Sequence, residues 1–161
     1  MTVRAYVALG SNWGDSISIV SQAADVIASL GSQVRISSLY RSAPAGPIAQ
    51  PWYVNAVVGV DTMWPPETLL QRLWAVERRF GRWRHVHWGP RLLDCDLLLY
   101  GDWVVDQPGH LVIPHPRMSA RRFVLEPLVE IAPEIQLREG IRARDLLSQV
   151  QDQEVERLCR H

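Results

Sequence analysis

Lysine is absent from this 161-residue chain, and all 17 basic residues are arginine. Codon bias is a sufficient cause, but the chemical consequence holds either way. No lysine nucleophile or Schiff base is available, and every cation is a planar fork suited to carboxylates and phosphates. Cysteine is nearly absent too. Cys95 and Cys159 alone make neither a disulfide framework nor a zinc cluster. Net charge is zero, 17 acidic residues balancing the 17 arginines, so nothing draws nucleic acid or an anionic membrane to the whole surface. No apolar run approaches the length of a membrane span, and the opening MTVRAYVALGSN lacks the layout of a signal peptide. A cytoplasmic protein is expected. A GxxxxGK[ST] loop is also missing, and GSNWG at 10–14 is too short to replace one, which excludes a P-loop kinase.

What is present describes one domain over 1–161: 47% apolar and 21% charged residues, enough for a sizeable core. Val3–Leu9 reads as a strand ending at Gly10-Ser11-Asn12. Asp15 caps a helix over about 16–30, with Ile19, Ala23, Val26, Ile27 and Leu30 as its stripe and Gly31 as terminator. Val34–Tyr40 and Tyr53–Val60 read as strands around a Pro/Gly-rich loop at 42–51. Pro65-Pro66-Glu67 opens a helix to about residue 80, with Leu69, Leu73, Val76 and Phe80 on one face. A strand follows at 91–100, and Gly101-Asp102 can turn it into a short partner, Trp103-Val104-Val105. Helices are expected near 116–131 and 142–158. The order strand–helix–strand–strand–helix–strand predicts an α+β, ferredoxin-like sandwich with a mainly antiparallel sheet.

The segment WGPRLLDCDLLLYG at 88–101 sets two acids into a run of leucines. On a strand, Leu93, Cys95, Leu97 and Leu99 would face one side and Asp94, Asp96 and Leu98 the other. Carboxylates at i and i+2 stand roughly 6–7 Å apart on one face. They can converge on divalent cations, which prefer oxygen ligands, or pair with arginines. Arg82, Arg84 and Arg91, with Trp83 and Trp88 between them, form either a solvated basic loop or a polyphosphate grip. Gly81, Gly89 and Pro90 suit a loop that closes over phosphates and excludes water. His85 and His87 offer a rival: with the aspartates they could make a transition-metal hydrolase. His115, between prolines in IPHPR, can bond a phosphate or cap the helix after it. In YRSAPAGPIAQPWYVNA, Tyr53 and Asn55 share a strand face and offer a stacking ring and an amide to a flat heterocycle. Ordinary strand roles are the alternative.

Taken together, VALGSN, YRSAP, QPWYVNA, GRWR, WGPRLLDCDLLLYG, IPHPRM and RRFVLEPLVEIAP, in this order and nearly end to end, resemble the 6-hydroxymethyl-7,8-dihydropterin pyrophosphokinase family of folate biosynthesis. The resemblance implies a three-layer α/β/α sandwich with a ferredoxin-like core. It also implies transfer of the β,γ-pyrophosphoryl unit of ATP to the pterin hydroxymethyl oxygen, with release of AMP. Asp94 and Asp96 would hold two Mg²⁺ ions, and Arg82 and Arg84 would act from a mobile catalytic loop. Glu77, Trp88, Arg91, His115 and Arg121 would complete the ATP site. The pterin would lie between Tyr53 and Phe123, bonded by Asn55 and by backbone at Ser42 and Ala43 near Pro44. ATP and a dihydropterin are the expected partners of a monomer, with no nucleic acid and no membrane. The chain departs from the family's bacterial form in a slightly shorter 81–88 loop, in Trp52 and Trp74 where polar residues occur, and in His110 for a basic residue. A metal-dependent phosphohydrolase and a nucleic-acid-binding module using the Arg/Trp loop are the competing readings.

Overall fold

A computed structural model describes residues 1–44, 46–81, 92–138 and 140–159, Cys159 without its side chain. β1 (Val3–Ser11) leads into α1 (Ser16–Ala28), whose cap is the expected one: the Asp15 carboxylate accepts from the Ser18 N–H at 3.3 Å. The predicted second strand is two, β2 (Ser32–Ile36) and β3 (Leu39–Ser42), parted at Ser37-Ser38. There the Ser37 N–H donates to the Val57 carbonyl while its hydroxyl oxygen accepts from the Val57 N–H, a local exchange that replaces the ladder. β4 (Tyr53–Thr62) and α2 (Pro66–Arg79) follow as read from sequence, α2 with Glu67 in its first turn and Arg78 and Arg79 in its last, complementing the helix dipole.

β5 (Asp94–Tyr100) runs antiparallel to β1. Next come β6 (Val105–Gln107) and β7 (Leu111–Ile113), which pair with each other. Trp103-Val104-Val105 therefore does not return along β5 as expected. A short 3₁₀ turn at Met118–Ala120 precedes α3 (Arg122–Ile131), so helix occupies only part of the 116–131 span. β8 (Gln136–Arg138) and β9 (Ile141–Arg142) form a second ribbon, and α4 (Ala143–Leu147) is one turn long. The expected helix over 142–158 ends there. Its last residues form β10 (Val155–Cys159), because the open edge of β3 offers backbone partners that an isolated helix lacks.

Among the described residues the main sheet has six strands, in the order β10-β3-β4-β1-β5 with β2 also on β4, and every pairing is antiparallel. Strands β3, β4, β1 and β5 keep the ferredoxin-like arrangement predicted from the element order. Period-two alternation loads both faces. Ala5, Val7 and Leu9 of β1 pack with Val20, Ala23 and Ile27 of α1 and Leu69 and Leu73 of α2. On the other face Tyr6, Ala8 and Val57 pack with Val124, Leu125 and Leu128 of α3 and Ala143 of α4. Two helical layers enclose one sheet. Among the described residues no helix is long and apolar enough to cross a membrane.

The expected facing of β5 fails at one residue. Tyr6 pairs with Leu99 but Val7 pairs with Leu97, leaving Leu98 as an extra residue in a bulge. Beyond it the alternation slips, and Leu99 joins Leu98 in the α3-side core instead of Cys95 and Leu97 in the other.

One carboxylate ties three elements together on the α3 side. Glu130 of α3 accepts from the Ser38 N–H (2.9 Å), the Ser38 hydroxyl (2.7 Å), the Tyr40 hydroxyl (2.8 Å) and Arg157 of β10 (3.3 Å). Burial pushes its pKa up, but these hydrogen bonds and the Arg157 charge more than offset that and leave it below the ordinary value of 4.5. A depressed carboxylate stabilises above its unfolded pKa, and that contribution is lost as pH falls through the folded value. Glu130→Gln should therefore lower unfolding stability at pH 7 by roughly 1–3 kcal/mol. The difference from the parent should shrink below pH 4.5, and urea denaturation at pH 7 and at pH 3.5 checks both parts.

Candidate active site

The site starts from small residues. In the β1–β5 register Gly10 stands opposite Asp94 and Ala8 opposite Asp96, so little side chain rises beside either carboxylate. Gly10 also faces Asn55 across β4, and a Cβ placed on it would lie 3.3 Å from the Asn55 side-chain nitrogen and 3.7 Å from the Tyr53 ring. Glycine here keeps the floor flat beneath Tyr53 and Asn55.

Over this floor opens a cavity of about 430 Å³, lined by Ser42, Ala43, Tyr53, Asn55, Asp94, Asp96, His115, Arg121 and Phe123, among others. A second cavity of about 310 Å³ lies beyond the aspartates, with Trp74, Glu77, His110 and Leu111 in its wall. Asp94, Asp96, His115 and Pro116 line both. The two carboxylates thus stand on the wall that the cavities share.

Hydrogen bonds hold the surroundings in place. The Ser42 hydroxyl donates to the Asn55 side-chain oxygen at 2.6 Å, a buried pair that orients the Asn55 amide. Asn12, buried at the end of β1, donates to Gln50 (2.8 Å) and to the Pro51 carbonyl (3.0 Å), pinning the end of the 42–51 loop. Outside the cavity the Arg41 guanidinium lies 4.3 Å from the centre of the Trp52 ring, a cation–π contact beside the same loop. His115 is fixed by its own backbone, which donates to the carbonyl of the bulge residue Leu98 at 2.9 Å. Its Nδ1 accepts from the Arg117 N–H at 3.2 Å, so the neutral ring carries its proton on Nε2, 3.9 Å from an Asp96 oxygen. Burial pushes the His115 pKa below 6.5, and the charges of Arg121 and Arg117 add to that, against the opposing pull of Asp96. Burial likewise lowers Arg121, helped by Arg117 and opposed by Asp96 and Tyr53.

The structure brings together most of the residues singled out from sequence. Ser42, Ala43, Tyr53, Asn55 and Phe123 share the first cavity with both aspartates, His115 and Arg121, while Pro44 is not in its wall. Glu77 lines the second, where its carboxylate accepts from the Cys95 N–H. Trp74 and His110 meet there edge to face, ring centres 6.3 Å apart. Arg82, Arg84, His85, His87, Trp88 and Arg91 lie outside the described residues. Sequence reasoning did not single out Ala8, Gly10, Gln50 or Arg117; IPHPRM held the only motif signal for Arg117, and the small residues of β1 gain meaning only from the register.

The donor set suits a hard divalent cation. Two carboxylates on one strand face, Asp96 with about half of its side chain exposed, present oxygen ligands alone. Among the described residues no three His, Cys, Asp or Glu side chains gather to complete a cage. Such a pair fits an ion whose other positions go to substrate phosphates and water, as Mg²⁺ does.

Comparison with known proteins gives the family. The model of the 7,8-dihydro-6-hydroxymethylpterin-pyrophosphokinase (HPPK) family matches residues 6–133. The chain belongs to this family. It is 42% identical to a 2-amino-4-hydroxy-6-hydroxymethyldihydropteridine pyrophosphokinase of Pseudomonas aeruginosa, over 98% of both chains. It is 40% identical to the enzyme of that name from Haemophilus influenzae, over 97% of this chain and 98% of the relative. Among solved structures it resembles an HPPK-DHPS in complex with substrates (TM-score 0.77, 12% identity, 98% of this chain and 46% of that one). It also resembles the Plasmodium falciparum HPPK-DHPS with pteroate (TM-score 0.71, 15% identity, 92% and 42%). At these identities the structures speak for the fold, and the chain spans less than half of their length.

The flat floor can be tested directly. Gly10→Val should displace the Asn55 side chain, at a stability cost of about 1–3 kcal/mol. The Asn55 side-chain amide resonances, isolated by site-specific ¹⁵N labelling, should shift and exchange faster as the Ser42 contact loosens. Unchanged resonances would show that the floor has room to spare.

Proposed function

We infer that the shared wall between the two cavities is where two substrates meet, and that the chain carries out the reaction of its family there. It is an ATP-dependent diphosphotransferase. It moves the β,γ-pyrophosphoryl group of ATP to the hydroxymethyl oxygen of 6-hydroxymethyl-7,8-dihydropterin, a step of tetrahydrofolate biosynthesis. The observation that carries the reading is the position of Asp94 and Asp96, open to both cavities at once.

In the first cavity the pterin is taken to lie between Tyr53 and Phe123, with the oriented Asn55 amide and the Ser42–Ala43 backbone reading its polar edge. The triphosphate reaches the aspartates from the second cavity, whose wall includes Glu77. Asp94 and Asp96 would hold Mg²⁺, in our reading two ions, which when bound neutralise phosphate charge and draw the hydroxyl toward ionisation. The hydroxymethyl oxygen attacks the β-phosphorus. The bond from that phosphorus to the α,β-bridging oxygen breaks, AMP leaves with the bridging oxygen, and the hydroxyl proton is released.

The protein's own groups prepare this step. His115, neutral and protonated at Nε2, offers a hydrogen bond toward the shared wall without a positive charge that would repel a cation. Arg121 supplies a fixed cation to the phosphates, joined by Arg91 and by Arg82 and Arg84, which the family resemblance assigns to a mobile catalytic loop, while Trp88 completes the ATP site by the same resemblance. Placing both substrates against one rigid strand supplies much of the acceleration. We take the chain to act as a monomer, a single domain over 1–161, in the cytoplasm.

A product assay with Mg²⁺, ATP and the hydroxymethyl dihydropterin tests the reading. AMP and the pterin diphosphate should appear only when both substrates are present; ADP or free phosphate without pterin would point to a hydrolase instead. Asp96→Ala should lose nearly all transfer while circular dichroism stays unchanged. Turnover near the parent's in that variant would end the metal-holding role of the pair.

A further inference from the structure

Glu77 is the one charged residue among the described residues that is buried, at 4% exposure. It stands in the last turns of α2, and its Oε2 accepts from the backbone N–H of Cys95 at 2.8 Å. Cys95 lies between Asp94 and Asp96. Within the main sheet β5 is an edge strand, paired to β1 on one side only. Backbone groups alternate in direction along an antiparallel strand. With the Cys95 amide turned outward to Glu77, the amides of Asp94 and Asp96 turn inward to β1.

A carboxylate in this place is costly by itself. It loses its hydration, and it sits close in the fold to two other acids, so like charges oppose it. A leucine would serve the packing of α2 against β5 better. Part of that cost is offset by a charge-assisted hydrogen bond, made to the backbone that carries both aspartates. Among the described residues no third ligand-type side chain gathers with Asp94 and Asp96, so Glu77 is not a further member of that pair.

We propose that Glu77 is a positioning residue: through the Cys95 amide it holds the edge strand whose backbone sets the spacing and direction of Asp94 and Asp96. The proposal rests on the reading of that pair as the cation site. Glu77 acts on the cation through two backbone residues, in the way that outer partners orient metal ligands elsewhere.

Three preparations test it: the parent, Glu77→Ala and Glu77→Gln, the last able to accept the same hydrogen bond without the charge. Amide hydrogen exchange at Cys95 is read without substrates. Mn²⁺ affinity is read with a non-hydrolysable ATP analogue, and steady-state kinetics complete the set. In Glu77→Ala the Cys95 amide should exchange about tenfold faster or more while the β1 amides keep their protection. Mn²⁺ affinity and kcat should fall together by about 10–100-fold, with KM for the pterin unchanged. Glu77→Gln should restore the amide protection and most of both losses. If Glu77→Ala does not fold, Glu77→Gln decides alone: a protected Cys95 amide with lost Mn²⁺ affinity overturns the proposal, because charge and not the hydrogen bond would then matter. A Glu77→Ala protein with normal Cys95 exchange overturns it as well. So does one with a raised KM for ATP only, which would make Glu77 a nucleotide contact. Failure of the parent to form AMP would sink the pyrophosphokinase reading separately, since the exchange contrast at Cys95 needs no turnover.

Discussion

The antiparallel pairing of β1 with β5 is the constraint on which the site depends. It sets Gly10 against Asp94 and Ala8 against Asp96, and so decides that two acids rise from a floor with almost no competing side chains. The same pairing contains the bulge at Leu98, whose carbonyl receives the His115 amide and brings that imidazole to the edge of Asp96. A shift of one residue in this register would turn both carboxylates into the apolar core against α1 and α2, where their desolvation would be prohibitive. Fold and chemistry thus rest on one set of backbone hydrogen bonds.

Around that pairing the molecule divides labour between its faces. Toward α1 and α2 the sheet is close-packed and apolar, which fixes the strands rigidly. Toward α3 the packing stops short of the ends of β1 and β4, and the gap becomes the first cavity. The walls there are held by polar bonds: Ser42 to Asn55, Asn12 to Gln50 and Pro51, and the Glu130 cluster that joins α3 to β3 and β10. Polar networks of this kind specify one arrangement where close packing alone would tolerate several. A site that must align two substrates gains from that restriction.

Much of this was legible in the residues. Two carboxylates in a leucine run, i and i+2, announce a shared face on any strand, and the element order over 3–100 announces the sheet arrangement. Tyr53 and Asn55 on one face, and His115 between prolines, were readable for the same local reasons. Other features were not. Residues 155–159 read as helix because their fate depends on the open edge of β3, more than 110 positions earlier in the chain. Leu99 read as a neighbour of Cys95 because a bulge leaves no mark in a run of leucines. Gly10 and Ala8 stood in the VALGSN motif without showing what they do in the site, since a small residue's role appears only when the atoms it makes room for are known.

By itself the sequence determined the chemical inventory and its local periodicity: cations that are all guanidinium, a pair of acids two residues apart, strands and capped helices in a ferredoxin-like order. Those properties follow from covalent chemistry and short-range sterics, which a linear reading contains. Only the tertiary structure decided which residues face the acids, that two cavities meet on them, and that a buried glutamate from α2 grips the strand between them. Such facts depend on register and on contacts between distant segments, and hydrogen bonds across strands exist only once the chain has closed on itself.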